Sequence, residues 1–405
     1  MKNKSNYRWF VLSVGVLAQA TFAMSFAGIP VTGVLMRDAY QFNLFELGVV
    51  LGSMGLGVAL SEIIWGILTD KLGDKTVLII GLWLAAGTFL GIALMFTPET
   101  QSSVSYLGLS AMLMASGVFS GSINSSSGRT VMSWFDDSER GFAMSIRQTA
   151  IPIGGAIGTG LLPWVTYSYG FKTTFLLLAL MGLLVGAFVL FFVRSKHQPS
   201  AFNAQQANTM SPLKSVDVWK VTLAAGFLTV PQMSVITFGG VYLRDNLSLG
   251  LTSISVILIG IQIGGGALRI WSGRYTDKHK NRIPLLKQIS VVGGIAAIAL
   301  CGLADQTVLG IVFLIATGLI GHAWHGIAYT EAAVKAGVER AGTALGMIGT
   351  TVFLSSFLSP ILVSSLLKVT SWNFVWAVVG VLTLLALPFF SLSESAKIHH
   401  ATVEK

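Results

Sequence analysis

Charge and cysteine are both scarce in this chain. Of its 405 residues 11% are charged, where a soluble domain carries about 25%. Its one cysteine, Cys301, permits no internal disulfide and no thiolate metal cluster. No Gly-x-x-x-x-Gly-Lys-Ser/Thr loop occurs, which disfavours ATP-driven work. A nucleophile elbow and a zinc-protease motif are also missing, so no enzymatic chemistry, cofactor or resident metal is expected.

What fills the chain instead is apolar sequence: 53% hydrophobic residues and a mean hydropathy of +0.74. These residues fall in blocks rather than alternating, and a spanning helix needs roughly 20 of them. About twelve such blocks lie near 8–36, 43–69, 75–97, 105–131, 141–166 and 173–193, then 218–243, 251–273, 283–304, 307–333, 341–367 and 371–392. Unsatisfied backbone is too costly in hydrocarbon, and blocks this long exclude barrel strands, so the spacing predicts an all-α, multi-pass membrane protein. The net charge of +9 is an orientation signal and not a nucleic-acid one. Basic residues gather in alternate loops, at Lys2, Lys4, Lys71, Lys75, Arg140, Arg194, Lys196, Lys278, Lys280, Arg282, Arg340, Lys397 and Lys405. The opposite loops hold Arg37, Lys172, Arg244 and Lys368. By the positive-inside rule both termini and the central loop are expected in the cytoplasm. Ala18-Gln19-Ala20 resembles a signal-peptide cleavage site, but the apolar run continues past it, so the first helix is expected to be retained.

The chain also repeats itself. Gly66, Thr69, Asp70, Lys71 and Lys75 recur in register as Gly273, Thr276, Asp277, Lys278 and Arg282, 207 residues on from Asp70 to Asp277. A period of half the chain means two similar halves. Residues 195–216 are polar and separate six helices from six, giving an N-terminal bundle at 1–194, a linker at 195–216 and a C-terminal bundle at 217–405. Glu139-Arg140-Gly141 at the fifth helix is echoed by Glu339 and Arg340 before Gly342 at the eleventh. In the fourth helix Ser116, Ser120, Asn124 and Ser127 share one face, and two readings stand: helix packing or pathway lining.

These residues resemble the major facilitator superfamily, whose loop between the second and third helices reads Gly-x-Leu-x-Asp-Arg/Lys-x-Gly-x-Lys/Arg. Gly66, Leu68, Asp70, Lys71, Gly73 and Lys75 match it, and the second copy keeps Gly273, Asp277, Lys278 and Arg282. The resemblance implies twelve helices in two pseudo-symmetric six-helix bundles. It also implies a cytoplasmic gate of Gly66, Asp70, Lys71, Arg140, Asp277, Lys278 and Arg340. There Asp70 meets the start of the eleventh helix, Asp277 meets the start of the fifth, and each aspartate pairs with a nearby arginine.

Three charges lie where a membrane penalises them. Arg147, about 10 Å into the fifth helix at 1.5 Å per residue, shares a face with Ala150, Ile151, Gly154 and Gly158, which turns it toward protein. Arg269 and Glu62 each stand eight residues before the loop aspartate of their half. Arg269 resembles the anion-binding arginine of the superfamily's nitrate/nitrite porters, although Glu62 stands where those porters have a second arginine. Glu62 is either a proton carrier, since desolvation and an approaching arginine act on a carboxyl in opposite senses, or a static partner of Arg129, Arg147 or Arg269. His322 and His325 fit packing, solute hydrogen bonding or a proton relay, and no third ligand is spaced for a metal.

The expectation is a secondary transporter that moves a small anionic organic solute with protons, acting as a monomer in the bacterial inner membrane. Its site lies between halves that rock. Arg147 and Arg269 hold the anion, Asn124, Gln19, Gln232 and His325 line the site, and Glu62 carries the proton. The alternative is a proton-coupled efflux pump for drugs or a secreted metabolite. The fifth-helix stretch Ile151-Pro152-Ile153-Gly154-Gly155 departs from the drug-antiporter signature Gly-Pro-x-x-Gly-Gly.

Overall fold

The computed structural model describes residues 2–100, 103–194 and 211–390. Most of the expected linker (195–210), together with Lys196, Lys397 and Lys405, lies outside the described residues, as do the side chains of Lys2 and Lys4. Regular structure among the described residues is helical throughout. The first seven α-helices are α1 (Lys2–Val31), α2 (Gly33–Tyr40), α3 (Leu44–Leu72), α4 (Asp74–Met95), α5 (Tyr106–Trp134), α6 (Arg140–Gln148) and α7 (Ala150–Phe192). The rest are α8 (Val216–Asp245), α9 (Leu251–His279), α10 (Arg282–Leu303), α11 (Thr307–His322), α12 (His325–Ala336), α13 (Ala341–Leu367) and α14 (Trp372–Leu384).

Among the described residues eleven stretches are long and apolar enough to cross a membrane, and one of them, Arg140–Phe192, runs for 53 residues. Gly170 divides it. With φ 82° and ψ 172° that residue leaves the helix in a conformation that L side chains avoid. Counting this stretch twice yields the twelve spans expected. The chain is a multi-pass integral membrane protein.

Two spans expected to be continuous are broken beside Arg147 and beside the histidines His322 and His325. Pro152 has no N–H to offer the Gln148 carbonyl, and the helix interrupts at Thr149, so Arg147 sits in the last turn of α6. Between α11 and α12 the Ala323 N–H bonds to Ile320 O at 3.0 Å, a 3-10 closure. His322 Nδ1 takes the Gly318 carbonyl there at 2.7 Å.

The chain gathers into two compact units. The first comprises Met1–Asp136, Arg147–Ser211 and Ala336–Thr350; the second comprises Asp137–Ile146, Pro212–Lys335 and Thr351–Lys405. In the first, α1 lies along α7, α3 along α5, and α4 against α5 and α7. A Cβ on Gly154 would overlap Ala20, and one on Gly158 would overlap Met24, so α1 and α7 meet backbone to backbone, as small residues allow in a membrane. In the second, α10 lies along α14, and α11 packs on α8, α9 and α10. Tyr242, Trp372 and Trp376 sit in its core. The Tyr242 hydroxyl donates to Ala304 O at 2.7 Å, which satisfies the polar tip of a buried ring. Outward-facing Leu60, Ile64, Phe191, Ile263 and Val308 are more than half exposed, as suits a hydrocarbon solvent.

Candidate functional site

In the first unit an amide joins a buried guanidinium to a buried carboxyl group. Arg147 Nε donates to Ser127 Oγ at 2.9 Å. Its Nη2 donates to Gln19 Oε1 at 3.2 Å, and to both the main-chain oxygen and Oδ1 of Asn124 at 2.6 Å. Asn124 Nδ2 in turn donates to Glu62 Oε2 at 3.3 Å, and Ser125 Oγ reaches the same oxygen at 3.4 Å. Glu62 Oε1 and Gln19 Nε2 are buried without a hydrogen-bond partner among the described residues. The polar stripe of α5 therefore divides: Ser116 turns back to Leu113 O at 3.1 Å, while Asn124 and Ser127 hold Arg147. Gly349 of α13 leaves room for the assembly, because a Cβ there would press on the Glu62 carboxyl and the Asn124 amide. Of the arginines considered as static partners for Glu62, Arg129 is engaged elsewhere, 3.3 Å from Asp70, and Arg147 reaches Glu62 through Asn124.

In the second unit Arg269 Nη2 lies 3.4 Å from His325 Nε2. His325 Nδ1 faces the His322 carbonyl at 3.3 Å. A carbonyl only accepts, so that nitrogen carries the proton and Nε2 offers its lone pair to the guanidinium. The His325 ring stacks on Trp324, with centroids 3.8 Å apart. His322 Nε2 meets the Gln262 side chain at 2.9 Å, and its ring occupies the space a Cβ on Gly265 would need. No group of three or more His, Cys, Asp or Glu able to hold a metal occurs among the described residues. Gln232 is buried against Gly321 of α11, and among the described residues no hydrogen bond ties it to Arg269 or His325.

The two loop aspartates cap helices in matching ways. Asp70 accepts from the Gly342 and Thr343 N–H groups at 2.8 and 2.7 Å and from the Thr343 hydroxyl at 2.5 Å, at the start of α13. Asp277 accepts from the Gly141 and Phe142 N–H groups at 2.9 and 2.7 Å, at the start of α6. A carboxylate there satisfies orphan donors and meets the positive end of the helix dipole. The loop glycines permit the approach: a Cβ on Gly66 would overlap Gly342 O, and one on Gly273 would overlap Ser145 and Gly141.

The arginines beside these aspartates are Arg129 and Arg282, and neither is among the gate residues that the resemblance implies. The partner of Asp70 is Arg129, and Asp277 has Arg282 at 3.8 Å. Lys71 and Lys278 are exposed, and their side chains make no hydrogen bond or ion pair with the described residues. One position past each aspartate turns about 100° around the helix, so they face away from the capped terminus. The Arg340 guanidinium likewise binds no carboxylate among the described residues, and Arg140 is the first residue of α6.

Sequence reasoning misses Ser125, Thr343 and Asp137. Asp137 accepts from Arg282 Nη2 at 2.8 Å and lies 3.4 Å from Lys280 Nζ. The Arg282 hydrogen bond, aided by both positive charges, holds its carboxyl below the ordinary range. The one signal in the sequence is an acidic pair, Asp136–Asp137, before the fifth helix, matched by the basic Lys280–Arg282 loop.

A sequence profile of the Major Facilitator Superfamily matches residues 15–360. An uncharacterized MFS-type transporter of Mycobacterium tuberculosis is 25% identical over 383 residues, covering 94% of this chain and 84% of its own length. A probable galactarate/D-glucarate transporter of Bacillus subtilis, GudP, is 20% identical over 411 residues, covering 93% and 90%. Among solved structures, the proton:xylose symporter XylE bound to 6-bromo-6-deoxy-D-glucose superposes with a TM-score of 0.78 over 95% of each chain at 15% identity, a likeness of fold alone. Matched by the profile over most of its length, the chain belongs to the Major Facilitator Superfamily, whose members are transporters and not enzymes.

Proposed function

We propose that this transporter carries a small organic anion of the carboxylate or sugar-acid class together with protons. Access alternates as the sequence halves 1–194 and 217–405 move, and the basic loops face the cytoplasm of a bacterial inner membrane. The observation that carries the reading is one buried guanidinium in each unit: Arg147 and Arg269 are 0% and 1% exposed. A cation at mid-membrane costs at least about 2.5–3.5 kcal/mol on insertion scales. Hydrogen bonds that the arginines donate to the neutral groups Ser127, Gln19, Asn124 and His325 offset part of that cost, and a visiting carboxylate suits the planar donor fork of arginine. The name of the Bacillus relative supports the class, since a sugar diacid brings carboxylates for guanidinium groups and hydroxyls for amides such as Gln19 and Gln232. Glu62 takes the proton, and the caps at Asp70 and Asp277 act as latches that open and close with the cycle.

Uptake of labelled D-glucarate into proteoliposomes, with and without a pH gradient, tests this. Acid outside is expected to drive accumulation, and Arg147→Gln or Arg269→Gln to abolish it. Full uptake by either variant rejects the anion role of that arginine. Dye extrusion without glucarate movement would replace the reading with the efflux alternative.

A further inference from the structure

We propose that Asn124 is the coupling residue: its carboxamide binds the proton site with one end and the anion site with the other, so neither site changes state alone. This rests on the proposed function and goes beyond it, since Asn124 becomes a bridge instead of a solute ligand. Both ends are fixed by chemistry. A guanidinium only donates and an ionised carboxylate only accepts. The amide must therefore aim Oδ1 at Arg147 (2.6 Å) and Nδ2 at Glu62 (3.3 Å), an orientation settled by its partners.

The groups facing Glu62 are few. α5 presents Asn124 and Ser125. α13 presents Gly346 and Gly349, which carry no charge. The charged group acting on Glu62 is Arg147 of α6.

Glu62 Oε1, buried and without a partner among the described residues, is the free position for a proton arriving from the aqueous side. Once the carboxyl is neutral, Asn124 loses its charge-assisted bond and Arg147 loses the counter-charge felt through the amide. The guanidinium is then freer to take an anion. Linkage makes the effect mutual, so proton and anion favour each other's binding, roughly 5–150-fold for couplings of ordinary size.

The test uses the full-length protein in proteoliposomes with D-glucarate as probe, comparing wild type with Asn124→Ser, whose hydroxyl is too short to span both partners. Two assays are read: exchange at equal pH, and accumulation driven by a pH gradient. The expected result is a ratio of accumulation to exchange at least about tenfold below that of wild type, whatever the exchange rate itself becomes, the loss of a coupling of ordinary size. Accumulation equal to wild type overturns the bridge and leaves the proposed function standing. Loss of exchange and accumulation together, at an unchanged melting temperature, makes Asn124 a solute ligand and also overturns it. Wild type that exchanges D-glucarate but ignores the pH gradient, or does not carry it at all, overturns the proposed function and the bridge with it.

Discussion

Replacing Asp70 by asparagine measures the strength of the cap in the first unit. The carboxylate receives two backbone N–H groups and a hydroxyl, with Arg129 at 3.3 Å. The substituted carboxamide would keep one acceptor oxygen and turn an NH2 group toward a backbone donor, so at least one charge-assisted bond is lost, about 1.5–3 kcal/mol. Arg129 loses its partner as well. A total near 3 kcal/mol corresponds to about 150-fold in the opening equilibrium, at 1.4 kcal/mol per factor of ten. Asp277 holds only two N–H groups and a more distant arginine at 3.8 Å, so Asp277→Asn is expected to cost less. Hydrogen–deuterium exchange reads this directly, because the amides of Gly342 and Thr343 are the donors that Asp70 caps. Asp70→Asn should accelerate their exchange by about two orders of magnitude, leaving Gly141 and Phe142 at the wild-type rate, and Asp277→Asn should do the reverse with a smaller factor. Unchanged exchange at Gly342 and Thr343, or an equal response at both caps to either variant, would refute the reasoning.

Further consequences are open to measurement. Gly66→Ala places a Cβ against Gly342 O, backbone that does not yield easily, so a loss of about 1–3 kcal/mol should appear as a lower melting temperature with slower uptake. Gly349→Ala pushes on the Glu62 carboxyl and the Asn124 amide, and pH-gradient-driven accumulation should fall further than exchange at equal pH. Asp137 titrates below the ordinary carboxyl range because Arg282 donates to it. Its contribution is therefore present above the unfolded value of about 3.9 and lost as pH falls through the lower folded value. Asp137→Asn should thus destabilise at neutral pH, by less than about 1 kcal/mol for so exposed a pair, and match wild type in denaturation once the pH lies below the folded-state value.

What the sequence makes legible here is set by how far apart the interacting residues stand. Block length and hydropathy are local, so the spans are readable; the interruption near Thr149 is not among the expectations, although Pro152 is a local signal for it. The break at Ala323 was not readable: no proline marks it, and it depends on a histidine side chain turning onto its own helix. The caps were implied by the resemblance, whose loop motif holds the Gly and Asp that recur in register in the second half. The arginine beside Asp70 had no such signal. Arg129 lies 59 residues later, on α5, and nothing periodic links it to the loop; only the packing of α3 on α5 brings it there. Asn124 shows the limit most clearly. Its position on a small polar stripe is equally compatible with packing and with lining, because the stripe says which way the residue faces and not what waits on the other side. Its role follows from two partners on two other helices, Glu62 on α3 and Arg147 on α6. An amide that satisfies a cation and an anion at once is a property of three segments assembled, which no single window of sequence contains.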